Sequence, residues 1–149
     1  MPETYRAPMR SRLDDIDAGL AQARAVALGL VGMGGRLDPS PGPDAGVEEV
    51  LSRTVVEHGE RTARRVERFA AVPAGALVWT RDTDGRYRRG ALTGPWRYDA
   101  TRQAYAADLV HVRPCAWEDP LDEVEVPAAV VASFERGGRN FQRIRALDR

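Results

Sequence analysis

Two kinds of hydrophobic spacing alternate along the chain and predict its secondary structure. Apolar residues three or four positions apart predict helices, which we place at residues 14–28, from residue 44 to about 71 with a break or kink at Gly59, and at 126–134. Alternating apolar residues and β-branched runs predict strands, which we place at residues 4–10, 30–35, 76–81, 86–93, 96–99, 107–117 and within 137–145.

The order of these elements predicts the fold class. A strand, a helix, a second strand and further helices precede a run of strands joined by the turns Asp82–Gly85 and Gly94–Pro95. We therefore expect a small α+β protein with a curved or closed antiparallel barrel flanked by helices. The length suits one domain over residues 1–149, in which the proline- and glycine-rich residues 37–46 form a surface loop.

Positive charge is concentrated in the middle of the chain. All 22 basic residues are arginine, and 22 acidic residues balance them. The first 60 residues carry 6 arginines and 10 acidic residues, whereas residues 61–113 carry 11 arginines and 5 acidic residues. An anion-binding surface should therefore come mostly from this middle segment. The lack of lysine excludes Schiff-base chemistry and the lysine-dependent phosphate loop.

Few residues suit catalysis or metal binding. The single cysteine, Cys115, and the two histidines, His58 and His111, do not favour a zinc site, and a base deaminase would need paired cysteines. Cys115 and His111 are about 13 Å apart by strand rise, too far for a nucleophile and its base. Acidic residues 118–125 favour a solvated loop over a metal site. We expect a non-catalytic protein without a metal or cofactor.

The distribution of apolar residues also bears on location. No segment approaches the roughly 20 consecutive apolar residues of a membrane helix. The first 12 residues lack the apolar core of a signal peptide. We therefore expect a cytoplasmic protein that does not bind membranes.

The segment from Pro73 to Asp99 combines aromatic rings with guanidinium groups. It contains Trp79, Tyr87, Trp96, Tyr98, Arg81, Arg86, Arg88, Arg89 and Arg97. Rings and guanidinium groups together can stack on a base and neutralise nearby phosphates. The alternative is that the aromatic side chains fill the core of a small barrel.

A second group of arginines lies on one side of the predicted helix that ends near residue 71. Its members, at three- and four-residue spacing, are Arg61, Arg64, Arg65 and Arg68. They form either a stripe that faces phosphates or a solvated face whose charges pair with the interleaved glutamates.

Several short motifs occur in an order that resembles the PUA-like, EVE-type domain found in front of restriction-endonuclease-like nucleases. They are LVGMGG from Leu30, RF at Arg68, PAGALVW from Pro73, GRYRRGALTGPWRYD from Gly85, HVRPCAW from His111 and the closing FQRI. The resemblance covers nearly the whole chain. It implies a PUA-like barrel that holds a flipped, modified base of DNA or RNA in an aromatic pocket.

The resemblance also implies which residues bind the nucleic acid. The pocket would be formed by the glycine turn 32–36, the strand of Trp79, and the turn that follows Pro95. The residues placed there are Gly34, Gly35, Arg36, Trp79, Arg81, Trp96, Arg97 and Tyr98. Related sequences tend to carry tryptophan where this chain has Gly35.

Two expectations about partners follow from the same interpretation. Because no nuclease domain follows the reader-like module, cleavage would need a separate nuclease subunit. The alternative function is a protein-interaction adaptor of a defence or nucleic-acid-processing system, which would dock a partner on the same aromatic patch.

Overall fold

The computed structural model describes residues 2–145. In chain order the elements of this part are β1 (Thr4–Arg6), α1 (Leu20–Leu28), β2 (Leu30–Met33), α2 (Val47–His58), α3 (Glu60–Ala71), β3 (Leu77–Arg81), β4 (Tyr87–Leu92), β5 (Arg97–Tyr98), α4 (Arg102–Ala107), β6 (His111–Trp117), α5 (Ala128–Glu135) and β7 (Gln142–Arg143). A 3₁₀ turn, Glu123–Glu125, precedes α5. The α+β class predicted from the sequence is confirmed.

The strands form one curled sheet, a half-barrel flanked by helices. The strand order is β2-β6-β4-β3-β1-β7, and β5 also pairs with β6. The expectation of a purely antiparallel sheet is wrong, because β1 runs parallel to β3 with Thr4 opposite Leu77. The sheet is therefore mixed.

Strand β6 produces the curl because its two halves have different neighbours. Its first half pairs with β2 and, at His111 and Val112, with β5. Its second half pairs with β4, where Gly90 lies opposite Trp117. A Cβ atom on Gly90 would lie 2.5 Å from Cys115 Sγ. The close approach of β4 to β6 at this position therefore requires glycine.

Both faces of the central sheet are covered, which decides where its aromatic residues lie. Successive strand side chains point to opposite faces. Val78 joins the main core with Phe69 of α3, whereas Trp79 joins a second core with Tyr87 of β4 and Phe134 of α5. The short helix predicted after Pro127 is α5, and it covers Trp79 from outside.

Two helices differ from the sequence predictions. The first helix begins at Leu20 rather than at residue 14 as predicted, because Gly19 has φ +88° and interrupts the segment. Helix α4 was missed, although Thr101 caps it by accepting a hydrogen bond from the N–H of Ala104. The helices of residues 2–145 are all too short or too polar to cross a membrane.

Candidate ligand-binding site

A small cavity lies where β2 ends in the glycine turn. Its volume is about 110 Å³. Gly34 and Gly35 form part of its wall, together with residues of α3, of the loop at 10–13 and of the segment at 139–141. Met33, Leu13 and Phe141 make part of the lining apolar.

Asp108 fixes the shape of the glycine turn. One carboxylate oxygen accepts hydrogen bonds from the N–H groups of Gly35 (3.0 Å) and Arg36 (3.1 Å). The other accepts a hydrogen bond from the Ser11 hydroxyl (2.8 Å). A Cβ atom on Gly34 would lie 2.5 Å from this carboxylate, and Gly35 has φ +112°. The turn therefore needs glycine at both positions.

The rim of the cavity is strongly cationic. Five arginines and one histidine line it: Arg10, Arg12, Arg36, Arg65, Arg139 and His58. Within residues 2–145, none of these five arginines has an ion-pair partner. Burial lowers the pKa of Arg65, and the charges of Arg12, Arg61 and Arg68 lower it further. The cluster is therefore a site of positive potential that an anion would stabilise.

Three contacts fix the position of Arg36. Its guanidinium donates to the Tyr105 carbonyl (2.9 Å) and lies 4.3 Å from the centre of the Tyr105 ring. Its own carbonyl accepts a hydrogen bond from His58 Nε2 (2.7 Å). This arginine is a preorganised part of the rim.

His111 lies beneath the glycine turn and is fully buried. Its Nδ1 accepts a hydrogen bond from Trp96 Nε1 (3.3 Å), and the two rings stack at 6.1 Å. Its Nε2 makes no hydrogen bond of normal geometry in the described part of the chain. Burial, aided by the charge of His58, lowers the pKa of His111 to about 3, although the Gly35 backbone opposes this shift. The ring is neutral at physiological pH.

The buried neutral His111 should make stability depend on pH. In the unfolded chain a histidine has a pKa near 6.5, so only the unfolded state gains a proton as the pH falls from 7 to 5. The stability present above pH 6.5 should therefore decrease by about 2 kcal/mol at pH 5. Urea unfolding at several pH values measures this, and His111→Gln should remove most of the dependence.

The exposed histidine provides the control for this experiment. His58→Gln should keep the pH dependence because His111 is intact. The interval from pH 5 to 7 lies above the pKa values of Asp99, Glu57 and Glu118, which are all lowered in the fold. An equal slope in wild type and His111→Gln would show that His111 is not responsible.

The aromatic residues placed in the pocket by sequence do not join Gly34, Gly35 and Arg36 around this cavity. Trp79 is 5% exposed and lies in the core under α5. Tyr98 is also buried, and its hydroxyl accepts a hydrogen bond from the N–H of Leu37 (2.9 Å). Neither residue lines this cavity, because the sheet and the helices on both faces enclose them.

The other residues predicted for the pocket, Trp96, Arg97 and Arg81, do not line this cavity either. Trp96 is half-buried against His111 and supports the turn from below. Arg97 is exposed on β5 and lines none of the cavities described here. Arg81 lies at a different cavity, against Phe134.

Sequence reasoning missed the arginines that come from the two ends of the chain. Arg10, Arg12 and Arg139 belong to loops outside the basic middle segment. Their only sequence signal was their charge, since no motif surrounds Arg10 or Arg12. Phe141 was contained in the closing FQRI motif but was not assigned to the pocket.

Nucleophilic and metal chemistry find no support in the described residues. Cys115 is buried, and burial raises the pKa of its thiol to about 12. No group of three or more His, Cys, Asp or Glu side chains in residues 2–145 is arranged to hold a metal ion. In the acidic loop, Glu118 pairs with Arg89 and Asp122 with Arg86.

The fold and the site together define an α+β half-barrel protein with a cationic cavity at its glycine turn. The chain matches no protein-family model, no curated protein and no solved structure. The PUA-like, EVE-type relationship is therefore a resemblance in sequence motifs.

Proposed function

We propose that this protein is a non-catalytic nucleic-acid-binding module of the PUA-like type. The observation that carries the proposal is the cationic cavity, where the unpaired arginines Arg10, Arg65 and Arg139 surround a partly apolar wall. Guanidinium groups suit phosphate oxygens, and an apolar wall suits the face of a base. DNA and RNA both offer this combination.

A groove next to the cavity would extend the contact along the nucleic acid. Arg65 and Phe141 line both the cavity and this groove, whose volume is about 930 Å³ and which also includes Arg68 and Arg145. The Phe141 ring stacks on Tyr5 at 4.9 Å. This arrangement favours the phosphate-facing interpretation for Arg65 and Arg68 over a purely solvated face.

The proposed base reading relies on different residues from those first expected. The cavity offers Phe141 and Met33 as apolar surface and the Arg36 guanidinium as a fixed donor. A modified base would enter between the glycine turn and Phe141. A separate nuclease subunit, in a cytoplasmic setting, would then supply any cleavage.

No observation favours the alternative function of a protein-interaction adaptor. It requires an accessible aromatic patch, but Trp79 and Tyr98 are buried and Trp96 packs on His111. Interface anchors must be reachable by the partner.

The comparison of two neighbouring arginines tests the proposal. Arg65 lines the cavity and the groove, whereas Arg64 pairs with Glu60 at 3.8 Å and lines neither. Arg65→Ala should weaken binding of short fluorescent DNA or RNA oligonucleotides about tenfold, because it removes a charge-assisted phosphate contact. Arg64→Ala should change the affinity by less than about twofold.

The salt dependence adds a second readout. Fluorescence anisotropy at several salt concentrations should give a slope of log affinity against log salt that is smaller by about 1 in Arg65→Ala. Oligonucleotides with and without modified cytosine or adenine test the base preference. Equal losses in both variants, or no binding by the wild type, would contradict the proposed interface.

A further inference from the structure

A second cavity lies on the other side of Arg10, between β1, β3 and the end of α5. Its volume is about 430 Å³. Arg6 and Arg81 both line it, and their guanidinium groups lie 5.3 and 5.6 Å from the centre of the Phe134 ring. The proposed base site contains neither cation, and the resemblance placed Arg81 but not Arg6 in a nucleic-acid pocket.

Arg6 is a buried cation without a counter-charge. It is 3% exposed, and its terminal nitrogens donate to the backbone carbonyls of Ser133 and Gly138, the latter at 2.9 Å. It forms no ion pair with a carboxylate of residues 2–145. Neutral carbonyls accept from its terminal nitrogens, but its Nε has no hydrogen-bond partner in the described residues. Its charge is therefore uncompensated, which is costly inside a protein.

Other groups around this cavity make the charge imbalance larger. The charges of Arg136 and Arg81 add to burial in lowering the pKa of Arg6. The Arg81 guanidinium donates no hydrogen bond and forms no ion pair within the described residues, so its planar fork of donors is available. The rings of Tyr87 and Phe134 hold its guanidinium group in position.

One acidic residue also lines the cavity and could have neutralised these cations. Asp82 instead accepts hydrogen bonds from the backbone N–H groups of Asp84 (3.2 Å) and Arg86 (2.9 Å). Its carboxylate serves the hairpin turn and makes no ion pair with Arg6 or Arg81. The counter-charge is therefore missing from the part of the chain that the structure describes.

We propose that the cavity between Arg6 and Arg81 binds a phosphoryl group. A phosphoryl group carries up to two negative charges and several acceptor oxygens, which matches two guanidinium groups better than a single carboxylate does. Arg81 supplies the bidentate contact, and Arg6 supplies fixed charge from below. The proposal does not rest on the proposed nucleic-acid interface, although the two cavities share Arg10, because an inorganic phosphate ion by itself carries the charge and the acceptor oxygens that the two guanidinium groups would bind.

A phosphate titration followed by NMR tests this site directly. Inorganic phosphate, compared with chloride at equal ionic strength, should shift and saturate the signals of the Arg81 side chain and the Gly138 amide. Arg81→Met keeps the apolar stem against Phe134 but removes the donors. It should weaken phosphate binding about tenfold.

Two matched variants complete the experiment. Arg102→Met, which removes an exposed arginine outside these cavities, should bind phosphate like the wild type. Arg81→Gln provides a second test if Arg81→Met does not fold. Weak shifts that do not saturate, or that are unchanged in both Arg81 variants, would overturn the proposal as nonspecific ion binding.

A competition experiment identifies the source of the phosphoryl group. Displacement of phosphate by a 5′-phosphorylated oligonucleotide, but not by its 5′-hydroxyl form, would assign the site to a nucleic-acid terminus. Lack of displacement by both, with saturable phosphate binding retained, would assign it to a small phosphate compound. Arg65→Ala should leave phosphate binding intact, so this site and the proposed nucleic-acid interface can fail separately.

Discussion

Arg113→Met should lower the free energy of unfolding by about 3 kcal/mol. Arg113 is 3% exposed, and its guanidinium donates to the carbonyls of Phe69 (2.9 Å), Val72 (2.6 Å) and Gly94 (3.1 Å). Two of these carbonyls lie at the end of α3, where the last carbonyls of a helix have no partner within the regular helical hydrogen-bond pattern. Methionine would fill the space but leave all three acceptors without this donor.

Removing the buried charge of Arg113 would by itself stabilise the fold, but we expect this effect to be smaller than the loss of hydrogen bonds. Burial lowers the pKa of Arg113, so the fold already bears a cost for enclosing the charge, and methionine would remove that cost. The carbonyls of Val72 and Gly94 would nevertheless lose their donor at a cost of about 1–3 kcal/mol each, whereas the Phe69 carbonyl would keep the hydrogen bond from the N–H of Val72 (3.4 Å). The loss of acceptor partners should therefore exceed the gain from removing the charge.

Equilibrium unfolding in urea measures this difference. Arg61→Met is the control, because Arg61 is exposed on the same α3 helix and should change stability by less than about 0.5 kcal/mol. If Arg113→Met were as stable as the control, the proposed anchoring of α3 to the sheet would be wrong.

Local signals predicted the hairpin well but could not predict the pairing of distant strands. The Asp82–Gly85 turn and the flanking apolar residues indicated β3 and β4 directly. The parallel pairing of β1 with β3 joins segments more than 70 residues apart, with no turn between them to set their direction. The two-sided pairing of β6 is also a tertiary feature, which alternation along one strand does not reveal.

The residues of the candidate site likewise include some that the local sequence indicated and others that only the folded structure brings together. The glycines of the turn were found because a run such as Gly34–Gly35 indicates a conformation that other residues avoid. Trp79 was placed in the pocket because its own strand does not reveal that α5 covers its outer face. Arg10 and Arg139 were missed because loops from opposite ends of the chain bring them together only in the folded protein.

Asp108→Ala should lower the free energy of unfolding by about 3–5 kcal/mol and abolish oligonucleotide binding. The alanine removes the acceptor of the Gly35 and Arg36 N–H groups and of the Ser11 hydroxyl. Residue 108 has φ +50°. Aspartate tolerates this left-handed conformation better than alanine does, because its short polar side chain can form local hydrogen bonds, so the substitution adds a cost of about 1 kcal/mol. The glycine turn would then lose the geometry that shapes the cavity.

Asp108→Asn separates geometry from charge. Asparagine tolerates the left-handed backbone conformation, and its carbonyl oxygen can accept from the same two N–H groups. We expect a stability loss of less than about 1.5 kcal/mol, with the cavity shape retained. Because the substitution removes the negative charge next to the cationic rim, oligonucleotide binding should be unchanged or tighter.

Urea unfolding and fluorescence anisotropy on both variants distinguish the possible roles of Asp108. A large loss of binding in Asp108→Asn would mean that the carboxylate charge itself is required, contrary to the role proposed for the arginines. Full binding by a folded Asp108→Ala would mean that the ligand does not use the glycine turn. If Asp108→Ala fails to fold while Asp108→Asn binds, the carboxylate acts through the hydrogen bonds that order Gly35 and Arg36, and the negative charge of the ligand is recognised by the guanidinium groups alone.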